Sequence, residues 1–131
     1  NLGRNNALFS HLGIWGIIYM SSKIKNWQFI QMPKLHVSGI TLFPFIVIKH
    51  KNLRLDKSFI NHEHIHLRQQ LEMLVIPFYV FYLLHYVINL VKYQHHEKAY
   101  RNICFEREAY NNESNLNYLH SRKWFAWLLY L

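Results

Sequence analysis

Residues 62 to 66 read His-Glu-His-Ile-His, within the longer run "FINHEHIHLRQQLEM" (59–73). Histidines four apart on an α-helix lie about 40° apart around its axis, so His62 and His66 can offer both imidazoles to one ion. Glu63 follows His62 at the edge of that face, where its carboxylate can reach a water on the ion without being a ligand. This is the HExxH arrangement, whose chemistry is zinc binding beside a general base. His64 points to a different side and stays outside the set. The plainer reading is a polar helix face in a chain with ten histidines. Cys104 is the only cysteine, so any metal here must be held by histidine and carboxylate.

Two histidines leave a zinc site short of a third protein ligand. Candidates lie downstream in "YRNICFEREAYNNE" (100–113), a stretch without Pro or Gly whose charges suit a second helix. There Glu106, Ala109, Tyr110 and Glu113 share one face by their three-and-four spacing. Glu108, with Asn112 four residues on, rivals Glu106 as the third ligand. The plainer reading is a solvated helix laced with charge pairs among Glu106, Arg107 and Glu108.

The two motifs together resemble the gluzincin zinc metallopeptidases, in which HExxH is followed by a glutamate in an E-x-x-A setting on a later helix. The chain is most similar in style to the membrane-associated prenyl-protease and heat-shock protease group and to very small single-domain gluzincins. It also resembles a set of short bacterial proteins sharing His-Glu-x-x-His-x-Arg-Gln-Gln-x-Glu and Phe-Glu-x-Glu-Ala-Tyr, here residues 62–72 and 105–110. The resemblance spans about residues 35 to 122 and is specific only in the two motifs. It implies His62, His66 and Glu106 as zinc ligands, Glu63 as general base, and a peptide or protein as substrate. One position departs from it. The prenyl-protease group follows E-x-x-A with an aspartate that orients a ligand histidine; here Tyr110 stands there, and its hydroxyl is expected to do that work less strongly.

The elements that must position these residues follow from the pattern. "LHVSGITLFPFIVIKH" (35–50) is rich in β-branched and aromatic residues and interrupted by Gly39 and Pro44, so it reads as one long or two short strands with Pro44 at an edge or bulge. It could offer an unpaired edge to an extended substrate. "KHKNLRLD" (49–56) reads as a turn into a short strand. Asp56 or Ser58 then caps a helix from Phe59 to about Leu74. The expected fold is α+β and mostly helical: a short N-terminal hairpin or edge strand, the HExxH helix, and two or more further helices. Residues 35–131 form a minimal zinc metallopeptidase-like domain, and residues 1–34 an extension, dispensable or membrane-interacting. Within that extension "ALFSHLGIWGIIYM" (7–20) is apolar but lacks a cleavage-site signature, and Met20 is a candidate start.

Between the motifs, "LVIPFYVFYLLHYVINLV" (74–91) carries no formal charge over eighteen residues. As a helix it is about 27 Å long, just enough to span a bilayer. His85, Asn89 and Pro77 are costly in lipid unless they face protein. The alternatives are a segment lying against the membrane and a buried core helix, which would leave the protein cytoplasmic. "WFAWLLYL" (124–131), after "HSRK", suits an interfacial anchor. The chain holds 15 Lys+Arg against 7 Asp+Glu, a balance that favours an anionic partner. Its aromatics sit in apolar runs rather than among basic residues and glycines, and no nucleic-acid motif is present, so the expected partner is membrane lipid. Oxyanion donors are sought among Tyr110, Tyr118, His120 and Arg122. Two other classes are consistent with the sequence: an inactive protein stapled by zinc, and a basic membrane-surface assembly subunit.

Overall fold

The computed structural model describes residues 28–131; the apolar stretch 7–20 and the candidate start at Met20 lie outside them. The fold is α+β, with a short three-stranded sheet on the N-terminal side followed by helices. Strands β1 (Phe29–Gln31), β2 (Gly39–Leu42) and β3 (Phe45–Ile48) are arranged in the order β1-β3-β2. β1 runs parallel to β3, and β2 antiparallel to it with Ile40 opposite Val47. The run 35–50 therefore makes two strands. They turn at Phe43–Pro44 through a cis peptide bond, which places a proline lacking an N–H outside the ladder. The sheet also recruits Phe29–Gln31, upstream of residue 35.

Lys51–Leu55 is a 3₁₀ turn where the alternation of "NLRL" suggests a short strand. Both edges of β3 are already taken, so this segment cannot extend the hairpin by pairing with β3, and it carries the chain to the first helix. That helix, α1 (Lys57–Met73), starts at Asp56, whose side chain accepts from the Phe59 N–H at 3.0 Å. It ends at Leu74, in the left-handed half of backbone space, and α2 (Val75–Tyr93) follows directly. Pro77 sits in the first turn of α2, where its missing N–H is harmless.

Residues 100–113 do not form a single helix. α3 (His96–Arg101) and α4 (Cys104–Asn112) meet at Asn102 and Ile103. The Asn102 amide donates back to the Lys98 carbonyl at 2.8 Å, and Ile103 is extended and fully buried. The chain reverses after α2 at Gln94, in the left-handed region, and the break at Asn102–Ile103 redirects it so that α4 lies beside α1. A short helix α5 (Tyr118–Ser121) and a 3₁₀ turn (Ala126–Tyr130) complete the described chain.

The core gathers Phe78, Ile103, Cys104, Phe105 and Trp127. Phe105 is its centre, with ring centroids 4.6 Å from Phe78 and 5.1 Å from Trp127. The C-terminal apolar tail is thus divided. Ala126 and Trp127 are core, whereas Trp124, Leu128, Leu129 and Leu131 are exposed. α2 is divided lengthwise. Phe78 and Asn89 are its buried residues, and Ile76, Val80, Leu83, Leu84 and Val91 face outward.

Candidate metal centre

α1 presents His62, Glu63 and His66 on its buried face, and α4 presents Glu106 to them. The two Nε2 atoms are 3.0 Å apart. Glu106 Oε2 lies 3.4 Å from His62 Nε2, and Glu106 Oε1 lies 3.3 Å from His66 Nε2. Ligand atoms around a tetrahedral zinc stand roughly 3.3 Å apart, so the donor set has the right spacing. All three residues are buried.

Two further observations support the fit. Tyr82 donates to Glu106 Oε1 at 2.7 Å, while Glu106 Oε2 is buried with no hydrogen-bond partner among the described residues. A buried carboxylate oxygen left without a donor is costly, and a cation would satisfy it. The electrostatics also call for positive charge. Burial works to lower the His66 pKa, but Glu106, helped by Glu63 and Gln69, outweighs it and raises it to about 9. Burial works to raise the Glu106 pKa, but the two imidazoles hold it well below the usual carboxylate range.

The outer nitrogens of both imidazoles are held by residues the sequence did not single out for that task. His62 Nδ1 is 2.9 Å from Glu113 Oε2. Tyr110, expected in that role, instead packs its ring edge-on against the His62 ring, centroids 4.7 Å apart. His66 Nδ1 donates to Gln69 Oε1 at 2.8 Å if its proton is there, and Gln69 Nε2 donates to Glu108 Oε2 at 3.0 Å. Such outer contacts fix the ring orientation and tautomer that a metal requires.

Glu108 faces away from the histidines. It is fully buried and accepts from Tyr118 at 2.8 Å and from Arg122, which also pairs with Glu72. Its donors fill it, so it anchors the far side of α4 and leaves Glu106 as the carboxylate facing the two Nε2 atoms. The same contacts correct the oxyanion candidates. Tyr118 and Arg122 are committed to Glu108, His120 is exposed, and none of the four proposed donors lines the cavity at the histidines. Arg107, expected in helix-surface charge pairs, donates to the Tyr130 carbonyl at 2.8 Å. Burial pushes the Cys104 thiol up to about 12, which keeps it a core residue.

That cavity has a volume of about 520 Å³ and is walled by β2, α1, α2 and α3. Glu63 projects into it, with one carboxylate oxygen accepting from the Thr41 hydroxyl of β2. Gly39 lies beside this carboxylate. A Cβ there would meet the Phe59 ring at 2.5 Å and Glu63 Oε1 at 3.1 Å, so glycine is what lets β2 approach α1 this closely. The rest of the wall is largely apolar and aromatic, with Phe78, Tyr79, Tyr82, Tyr86 and Tyr100.

Two buried imidazoles and one buried carboxylate form a group that could hold a metal ion, with Glu63 beside them on the pocket wall. The chain matches no family model, no curated protein and no solved structure, so this assignment rests on its own residues.

Proposed function

We propose that this protein is a zinc-dependent metallopeptidase of the gluzincin kind, associated with membranes. The observation that carries the reading is the convergence of His62, His66 and Glu106 at a cavity into which Glu63 projects. His62, His66 and Glu106 would hold the ion. When bound, zinc supplies Lewis acidity and lowers the pKa of a water towards neutrality. Glu63, held in place by Thr41, takes the proton of the attacking water and delivers it to the leaving amine. The cavity walls are largely apolar and aromatic, and the β2 edge lies where an extended peptide can run past Glu63.

Membrane association is supported by α2, which is long and apolar enough to cross a bilayer by length and composition, with most of its apolar face turned outward. Asn89 donates inward to the Ala99 carbonyl at 3.2 Å, and His85 accepts from the Cys104 N–H at 3.3 Å, so its polar side chains are satisfied by protein rather than by the outer face.

The deciding experiment compares the zinc-loaded protein with Glu63→Gln. The variant is expected to retain one zinc per chain and to lose peptide cleavage, because Glu63 handles protons and does not ligate. Zinc retained with no turnover in either protein would leave a zinc-stapled scaffold. Absence of bound zinc would remove the enzyme reading.

A further inference from the structure

The free edge of β2 is shorter than the strand. The Lys49 N–H donates to the Ser38 carbonyl at 2.9 Å, and Ile40 and Leu42 stand opposite Val47 and Phe45. The even-numbered residues therefore bond to β3, and Gly39, Thr41 and Phe43 turn their main-chain groups outward. Of these outward groups, two are already taken. Gln70 Nε2 donates to the Thr41 carbonyl at 2.9 Å, and Gln70 Oε1 accepts from the Phe43 N–H at 2.9 Å. One side-chain amide thus makes the pair of bonds that a neighbouring strand's backbone would make. Tyr79 adds its hydroxyl to the same Thr41 carbonyl and is itself bonded by Gln70 at 3.2 Å. Gln70 is 1% exposed, so this plug is packed in place. The Gly39 carbonyl and the Thr41 N–H, beside Glu63, have no partner among the described residues and lie at the cavity.

We propose that Gln70, backed by Tyr79, is the specificity-determining stop of the peptide site. A peptide pairs with β2 only at Gly39–Thr41, and its chain on the Phe43 side must end there. The substrate class is then a peptide bound near one of its ends, with the end residue against the apolar wall of Phe78, Tyr79 and Tyr82. This rests on reading the cavity as a peptide site.

Binding can be read apart from turnover, using the ¹⁵N-labelled wild-type chain in detergent with EDTA, which removes metal and stops cleavage. The probes are Ala-Phe-Ala with blocked ends and the same peptide lengthened by four alanines at the amino end or at the carboxyl end. The Thr41 amide resonance is expected to move on binding while that of Phe43 stays. Lengthening at one end should weaken binding about tenfold or more, and lengthening at the other should change it less than about threefold, the size of one weak backbone hydrogen bond. Gln70→Ala should relieve the penalty. If that variant does not fold, the wild-type length series decides alone. Equal tolerance at both ends, movement of Phe43 in place of Thr41, or no binding of any probe overturns the proposal. One-sided binding by a protein that loads zinc yet never cleaves would leave the stop standing and remove the peptidase reading. Cleavage in the middle of long peptides would do the reverse.

Discussion

Glu113 Oε2 stands 2.9 Å from Nδ1 of His62, across fifty-one residues of sequence. The contact completes a carboxylate–imidazole pair whose other nitrogen faces Glu106. The tautomer with its proton on Nδ1 donates to this carboxylate and leaves Nε2 free for the proposed metal. Its side chain is 31% exposed, so replacing it should not unfold the chain. Glu113→Ala is expected to weaken zinc affinity by about ten- to a hundredfold, measured by competition with a chromophoric chelator, with an unchanged melting temperature for the metal-free protein. Unaltered affinity would mean that the edge-on contact with Tyr110 suffices to orient the ring.

Glu106 and Glu108 should separate cleanly, although one residue lies between them. Glu106→Gln removes a ligand and is expected to abolish zinc retention, read as metal per chain after gel filtration. Glu108→Gln keeps the donor set but leaves Arg122, a buried cation, with Glu72 as its remaining carboxylate. Its cost is expected in stability, about 3 kcal/mol by comparison with other broken buried ion pairs, with zinc still bound by the folded fraction. A folded Glu108→Gln protein that cannot hold zinc would overturn the ligand assignment.

What could be read from the sequence was what is local. His62, Glu63 and His66 share a face because helix geometry fixes their spacing, and Asp56 announces the start of that helix by its residue type. The α+β order followed from a β-branched and aromatic run at 35–50 giving way to helix formers uninterrupted by Pro or Gly at 59–74. The partners that tune the site come from elsewhere in the chain: Thr41 on Glu63, Glu113 on His62, Tyr82 on Glu106 and Gln70 on β2 are separated by between 22 and 51 residues, or by which edge of a strand is free. No spacing rule reaches that far. The break at Asn102 had a faint signal, since asparagine suits a helix end, but a charged stretch without Pro or Gly outweighed it. The 3₁₀ turn at 51–55 could not be told from a strand by alternation alone, because which neighbour a segment meets is a property of the assembled fold.

His64 gives a pH dependence that is independent of the metal donors. It is partly buried, and burial lowers its pKa to about 4 from the ordinary 6.5. The unfolded chain therefore binds a proton more readily than the folded one between those values. Stability from this group is fully present above about 6.5 and is lost as pH falls towards 4, by about 3 kcal/mol at most. In the metal-free protein the raised His66 pKa acts in a different window, with its contribution lost as pH rises from 6.5 through about 9. His64→Gln is expected to flatten the fall in denaturation midpoint between pH 6.5 and 4.5. A variant as acid-sensitive as the wild type would place the loss on other groups.

The outer face of α2 predicts where the protein is found in a cell. Ile76 is 77% exposed and Val91 69%, at opposite ends of a helix whose polar residues His85 and Asn89 turn inward, so the apolar stripe runs the length of the helix. Burying such side chains stabilises by about 1.5–3 kcal/mol each, and several acting together exceed what surface charge contributes. Two signals of different salt dependence are therefore superposed: the net charge of +8 attracts anionic lipid and is screened, whereas the stripe is not. The protein is expected to sediment with membranes and to stay there through a high-salt wash. Carbonate then distinguishes insertion, which resists it, from a helix lying on the surface, which does not. Leu83→Glu with Leu84→Glu should release the protein to the supernatant without loss of zinc, because both side chains face away from the cavity. A wild-type chain that is soluble and monodisperse without detergent would remove the membrane reading and leave the zinc site untouched.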